Sequence, residues 1–416
     1  MTTANCAPPP PVPNTFATYN TTLKAERPGL DTVFVDLDLV DENIGVVKAM
    51  LGSQFKPRIV TKGLPCLQLI QYVADAFDTN RLMTFSEGVL IACLNQFNRF
   101  DILQGRPLPV ASVKRVIASV GRKSALSATY LIDTLDLAKS LAYLGLPFKV
   151  AVELECGVMR GGPRTNDELL AILDVIAHSS MVFSGFMGYD GHVVLAPLTA
   201  TIPGAPVVLT SDQEFANVNT KYQGFIDAAK AKYPQWFTHP VTFNGGGSTT
   251  LNYYTGQYTT PVNDVAFGIA ILAPSLYDDV LSQFGIKPAL FCASYLSKRI
   301  DNAELQFEPG YLPVLAQDNP ALQTCYYVNS GGFPANRVYP TAADGLIDNP
   351  FSADTSGYHQ FSNLAQYYGP QALPLNLGDN VFYRPLEGSA VAWLGHLTAI
   401  RGQSIEKTWK TITEQP

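Results

Sequence analysis

Arg58-Ile59-Val60-Thr61-Lys62 reads as a short buried strand that delivers one lysine to a turn, and the helical run Leu64 to Phe77 follows at once. A lysine so placed can be desolvated. Loss of water lowers an amine's pKa, and a neutral amine in a dry pocket is the nucleophile that Schiff-base chemistry with a carbonyl compound requires. Taken alone, the same lysine is an ordinary surface residue at a strand end, so its meaning depends on what else reaches the same place.

Three further clusters carry chemistry. Asn244-Gly245-Gly246-Gly247-Ser248-Thr249-Thr250 combines glycines, which let a backbone approach an anion closely, with hydroxyls that add donors. Phe267-Gly268-Ile269-Ala270 is a second small-residue element able to close the same cradle. Glu153-Leu154-Glu155-Cys156-Gly157-Val158-Met159-Arg160 ends a strand in a carboxylate, a glycine turn and an arginine. That guanidinium can meet a cofactor oxygen or a substrate carboxylate in a planar fork, or pair with Glu153 or Glu155 at the rim. Phe186-Met187-Gly188-Tyr189-Asp190-Gly191-His192 interleaves a phenol, a carboxylate and an imidazole with glycines, each a candidate acid, base or anchor. The zinc-protease H-E-x-x-H, the serine-hydrolase G-x-S-x-G and the Walker A pattern are all absent from the sequence.

The elements that must position these groups follow from length and periodicity. At 416 residues the chain exceeds one hydrophobic core, so two domains are expected. With 47% hydrophobic residues, 15% charged residues, a net charge of -7 and no basic block, it is a buried globular chain without the clustered cations that nucleic acid needs. The six cysteines are scattered without a C-x-x-C pair, which suits reduced buried thiols. Residues 1–30 read as an N-terminal arm lacking a signal-peptide pattern, and no uninterrupted apolar run reaches the roughly 18 residues of a membrane span, so a soluble, cytoplasmic protein is expected.

Short apolar strands alternate with helical stretches at Arg58 to Val60, Leu82 to Thr84, Phe100 to Leu103, Tyr130 to Ile132, Lys149 to Leu154, Met181 to Phe186, Val241 to Phe243 and Val265 to Ile269. Eight such units predict a (β/α)8 TIM-type barrel over residues 31–295. Its mouth would collect Lys62, Arg160, Tyr189, His192 and the glycine run, together with the loop Ala196 to Pro206. Thr165 to Glu168 and Ser211 to Glu214 read as capping boxes. Residues 296–416 predict a mostly-β C-terminal domain with strands near Thr324 to Val328, Asn380 to Tyr383 and Val391 to Trp393, and the early strand Val33 to Asp38 is expected to pair with it.

Taken in order from residue 31 to about 280, these residues resemble the fold-type III pyridoxal 5′-phosphate (PLP) enzymes. Those are the alanine racemase-like barrels, here closest in pattern to the D-threonine aldolase and D-serine dehydratase-like branch. Asp31 to Asp38 followed by Glu42-Asn43-Ile44 is similar to that branch's "TP-x-x-x-D-L-D…N-I". Arg58 to Cys66 is similar to its "R-x-x-S-K-S-x-x-C" lysine segment. Glu153 to Arg160 resembles "E-x-D-x-G-x-x-R", Gly188 to His192 "A-Y-x-G-H", Asn244 to Thr249 "S-G-G-x-T", and Gly268 to Pro274 "G-S-x-x-x-x-P".

The resemblance implies Lys62 as the Schiff-base lysine and proton shuttle at Cα, with Tyr189 and His192 as further catalytic candidates. It implies Arg160 at the pyridoxal phenolate oxygen, Tyr189 beside the cofactor, and Gly246, Gly247, Ser248 and Gly268 at the phosphate. The reaction implied is cleavage at Cα of a D-amino acid, by retro-aldol cleavage or β-elimination of a β-hydroxy group. The alternatives are an amino acid racemase, with Cys325, Tyr326 or Tyr327 as the opposing base, and a non-catalytic PLP-binding protein. A small-molecule amino acid substrate and a homodimer are expected. Two departures stand out. No histidine precedes Lys62. Where members of the branch hold a divalent metal through "P-x-H-x-C" or "P-x-H-x-D", this chain reads Pro385-Leu386-Glu387-Gly388-Ser389, leaving Glu387 as the one candidate metal ligand beside a serine that binds hard cations poorly.

Overall fold

Continuous apolar runs such as Thr129-Tyr130-Leu131-Ile132, buried at every position, suit parallel strands covered on both faces. The computed structural model describes residues 13–195, 209–301, 319–328, 333–349, 360–361 and 365–412. After an early strand β1 (Thr32–Asp36), eight strands close a parallel barrel in sequence order. They are β2 (Lys56–Val60), β3 (Arg81–Thr84), β4 (Asp101–Gln104), β5 (Thr129–Ile132), β6 (Lys149–Glu153), β7 (Val182–Gly188), β8 (Thr242–Gly245) and β9 (Asp264–Phe267). Closure runs through β2 and β9, with Lys56 opposite Asp264 and Ile59 opposite Phe267. The chain divides into two compact units, one built on Asn43–Ile271 and holding this barrel.

Side chains fill the barrel in layers. Val60, Met83, Leu103, Leu131, Ala151, Met187 and Ala266 form an apolar middle layer. A step of two residues toward the strand N-termini returns to the same inward face and reaches Arg58, Arg81, Asp101 and Asp264. These form an ionic layer: Asp264 accepts Arg58 Nε at 2.7 Å, Arg81 Nη1 at 2.7 Å and Asn244 Nδ2 at 2.7 Å, while Asp101 accepts Arg58 Nη2 at 3.0 Å. Arg58 is 1% exposed, so its charge is tolerated only through these partners. The same step toward the C-termini reaches Lys62, Phe85, Asp133, Glu153, Tyr189 and Gly268, the mouth of the barrel.

The second unit comprises Leu272–Ser282, Lys287–Thr411 and the chain's N-terminal part through Glu42. Here β1 pairs antiparallel with β10 (Leu290–Asp301) and parallel with the strand His396–Arg401. Strands Thr324–Val328, Ala365–Gly369 and Asn380–Pro385 extend the sheet. Part of the expected arm is a helix, Pro13–Glu26. Its Phe16, Tyr19 and Leu23, spaced three and four apart, are buried against Phe34, Phe291, Phe382 and Ile400, each such burial contributing roughly 1.5–3 kcal/mol. The strand expected at Val391 to Trp393 is instead the 3-10 turn Gly388–Leu394, which leaves Trp393 exposed before Gly395 at φ 81°. The loop Ala196 to Pro206 lies outside the described residues.

Candidate active site at the barrel mouth

Lys62 sits in the 3-10 turn Thr61–Gly63 that ends β2, and it is exposed. The described residues therefore do not desolvate it, contrary to the expectation from sequence. The short turn leaves the side chain clear of the strand, while Thr61 beside it is buried and donates to the Met83 carbonyl at 3.0 Å. The turn abuts the loop after β9. A Cβ on Gly63 would come within 3.0 Å of Ile269 Cγ2, and one on Gly268 would stand 2.4 Å from the Val60 carbonyl oxygen.

That loop is joined in turn to the glycine run. Ser248 Oγ accepts the amides of Gly268 and Ala270, both at 3.1 Å, so the elements after β8 and β9 form one surface. Gly246 has φ 81°, a conformation natural to glycine alone. A Cβ on Gly247 would lie 3.2 Å from the Tyr189 ring. The Arg160 guanidinium covers that ring at 4.8 Å from its centroid. The turn that carries Lys62, then Gly268, Ser248, Gly247, Tyr189 and Arg160 thus follow one another around the mouth.

Arg160 is held rather than free. Its Nε and Nη2 reach Glu153 Oε1 at 2.9 and 2.8 Å, which realises the rim pairing among the sequence alternatives. Burial pushes the Glu153 carboxyl up, and the adjacent Arg160 opposes that rise. Arg160 remains 38% exposed at its side chain, so the pair with Glu153 does not bury the guanidinium. Glu155 does not join that pair. Its carboxylate accepts the amides of Gly157 at 2.6 Å, Met159 at 3.0 Å and Arg160 at 3.1 Å, and so moulds the turn that carries the arginine. Met159 is held there at φ 60°. Cys156 is buried and its thiol is pushed up to about 12 by burial, which makes it inert.

His192 packs against this turn at Gly157. Gly157, at φ 134°, is the residue that lets the ring in, since a Cβ there would stand 2.4 Å from Nε2. Nε2 donates to Glu214 Oε1 at 2.9 Å, and Nδ1 is buried without a hydrogen-bond partner among the described residues. Glu214 was expected to close a capping box with Ser211. The cap is instead Thr210 with Gln213, one residue earlier, which frees Glu214 for the histidine. At the other expected box, Thr165 accepts the Glu168 amide, but Glu168 reaches back to the Arg164 amide instead.

Glu387 belongs to the second unit. It accepts the Tyr277 hydroxyl at 2.8 Å, and among the described residues no group of three or more His, Cys, Asp or Glu could hold a metal ion. The candidate racemase bases also belong to that unit. Tyr326 is buried and donates to the Pro370 carbonyl at 3.0 Å, Cys325 is buried with its thiol pushed up, and the Tyr327 phenol is pushed up to about 12, in each case by burial first. No helix of the described residues is long and apolar enough to cross a membrane.

No protein-family model matches the sequence, and no curated protein matches it significantly. Solved structures do match the fold. D-threo-3-hydroxyaspartate dehydratase from Delftia sp. HT23 superposes with a TM-score of 0.64 at 15% identity, covering 94% of this chain and 98% of that one. Alanine racemase from Bacillus anthracis gives 0.63 at 12% identity, over 91% and 97% of the two chains. D-threonine aldolase from Filomicrobium marinum gives 0.63 at 13% identity, over 92% and 97%. The fold is therefore that of the fold-type III PLP enzymes, the one expected from the sequence resemblance.

Proposed function

We propose that the chain binds PLP at the mouth of its barrel and acts as a lyase on a D-amino acid, by retro-aldol cleavage or β-elimination of a β-hydroxy amino acid. The observation that carries this reading is the contact between the turn bearing Lys62 and the Gly268 loop, which Ser248 ties to the glycine run. An amine and an anion cradle adjoin across the strands that close the barrel. The fold shared with a D-hydroxy amino acid dehydratase, a D-threonine aldolase and alanine racemases supports the substrate class.

The residues present fit the cofactor. Gly246, Gly247 and Gly268 would let the backbone come close to a phosphate, and Ser248, whose Oγ accepts the Gly268 and Ala270 amides, keeps its hydroxyl proton to donate. Arg160, fixed by Glu153, would meet an oxygen of the ring, and Tyr189 lies under the guanidinium. The chemistry PLP supplies when bound is withdrawal of the electrons of a bond broken at Cα. Lys62 is the residue that would hold the cofactor, through its Nζ, and the same amine would carry the proton at the substrate's Cα. His192, oriented by Glu214, packs against Gly157 in the turn that carries Arg160 and remains the second catalytic candidate beside Tyr189.

A racemase is the second reading, favoured by one observation: the segment that resembles the metal-binding stretch of aldolase and dehydratase members carries Glu387 bonded to Tyr277 and Ser389 in place of a histidine and a second ligand. The PLP-loaded protein should be given D-threonine, D-serine and D-alanine, with and without a chelator, and the products separated by chiral chromatography. A carbonyl product from a D-β-hydroxy amino acid, unaffected by the chelator, is the expected outcome. Interconversion of enantiomers without a carbonyl product would replace the lyase by the racemase, and neither outcome with any amino acid would overturn both.

A further inference from the structure

Asp190 follows Tyr189 in the chain and is 0% exposed. Its carboxylate is committed to two hydroxyls: Oδ1 accepts Thr250 Oγ1 at 2.9 Å, and Oδ2 accepts Tyr254 Oη at 2.6 Å. Both donors come from the segment that follows the glycine run. Thr250 also reaches back to the Gly247 carbonyl through its amide at 3.1 Å and its hydroxyl at 3.3 Å. The Tyr254 ring stands behind Gly246, where a Cβ would come within 3.1 Å of Cε2, and its hydroxyl oxygen would lie 3.3 Å from a Cβ on Gly245. On the other side of the carboxylate, the Tyr189 ring touches the place of a Cβ on Gly247. One acid thus joins the loop after β7 to the glycine run after β8.

A buried acid that only filled space would be better replaced by an apolar side chain, because desolvation costs more than the packing returns. Burial does push this carboxyl up, which is the sign of that cost. What the carboxylate does instead is hold two donors, one packed against Gly245 and Gly246 and one bonded to the Gly247 carbonyl, while its neighbour Tyr189 packs against Gly247.

We propose that Asp190 is a positioning residue of the anion cradle, clamping the glycine run against Tyr189 through Thr250 and Tyr254, so that recognition of a ligand's phosphate depends on it and recognition of the ring does not. The proposal rests on the reading of the mouth as a PLP site, and it deepens that reading. The test compares PLP with pyridoxal, which has the same ring and aldehyde but no phosphate.

Dissociation constants for both are measured by absorption titration on the full-length wild type, Asp190→Asn and Thr250→Val, with circular dichroism confirming the fold. Asp190→Asn weakens both hydroxyl bonds to the acid and Thr250→Val removes one of them, so the PLP constant should rise about tenfold while the pyridoxal constant stays within about twofold. Equal rises for both compounds, or an unchanged PLP constant in a folded variant, would overturn the positioning role while leaving the PLP reading intact. A wild type that takes up neither compound would overturn the cofactor reading and this proposal with it. If Asp190→Asn does not fold, Thr250→Val and Tyr254→Phe, each removing one donor, are judged by the same two outcomes.

Discussion

Glu155→Gln isolates the device that aims Arg160. The carboxylate is 4% exposed and accepts three amides, at 2.6, 3.0 and 3.1 Å, from a turn of four residues. A glutamine of the same shape keeps its oxygen for Gly157 and Met159 but turns an NH2 toward the Arg160 amide, so one acceptor becomes a donor facing a donor. Hydrogen bonds to a charged acceptor contribute roughly 1.5–3 kcal/mol and neutral ones about 1. Two weakened bonds and one lost bond therefore remove about 3 kcal/mol from the local stability of the turn.

Met159 is held at φ 60° in wild type and variant alike, so its backbone strain cancels from the difference between them. Hydrogen exchange read by mass spectrometry over residues 155–162 measures the effect directly. At one decade per 1.4 kcal/mol, exchange in that peptide should accelerate about a hundredfold. Peptides of the ionic layer beneath, around Arg58 and Asp264, should not change. Exchange within about threefold of wild type would show that the carboxylate does not hold the turn and would refute the argument.

Other outcomes follow from the same geometry. Gly157→Ala sets a methyl 2.4 Å from His192 Nε2 at a backbone φ of 134°, so it should displace the imidazole from Glu214. The cost is about 2–4 kcal/mol in urea unfolding, and His192→Ala in the same chain should restore part of it; an additive double variant would contradict the contact. Asp101 provides a pH test. Burial raises its pKa, but Arg58 first and then Arg81 and Lys149 outweigh that, and the net shift is downward. A lowered folded pKa adds stability above the unfolded value, about 4, that is lost as pH falls through the folded value. Asp101→Asn should therefore lower stability at pH 7 and flatten its fall toward acid, and unfolding curves with the wild-type slope would argue against the ionic layer.

The barrel was legible because its strands are short, largely apolar runs of four to seven residues alternating with helical stretches, and all eight expected strands overlap observed ones. The mouth was legible for a related reason: a step of two along each strand from an apolar inward residue lands on Lys62, Glu153, Tyr189 and Gly268. What stayed hidden depends on choices that a sequence leaves open. Thr210 and Ser211 are both able caps, and the one-residue shift between them decides whether Glu214 serves the helix or His192. Glu153 and Glu155 are equally plausible partners for Arg160, and only the curl of the turn assigns one to the guanidinium and the other to the amides. The helix Pro13–Glu26 carries a weak periodic signal of its own, and it is the aromatic cluster around Phe291 and Phe382 that gives it a face to bury. The exposure of Lys62 reflects a 3-10 turn that no residue type announces.

The central claim is that Lys62 is the amine that holds PLP. Purified wild type and Lys62→Ala, each mixed with PLP and freed of excess, should be compared by absorption between roughly 300 and 500 nm. A band near roughly 420 nm in the wild type that is absent from the variant, with both proteins folded by circular dichroism, is the predicted result. An identical band in both would assign the attachment to another amine, and no band in either would contradict the account.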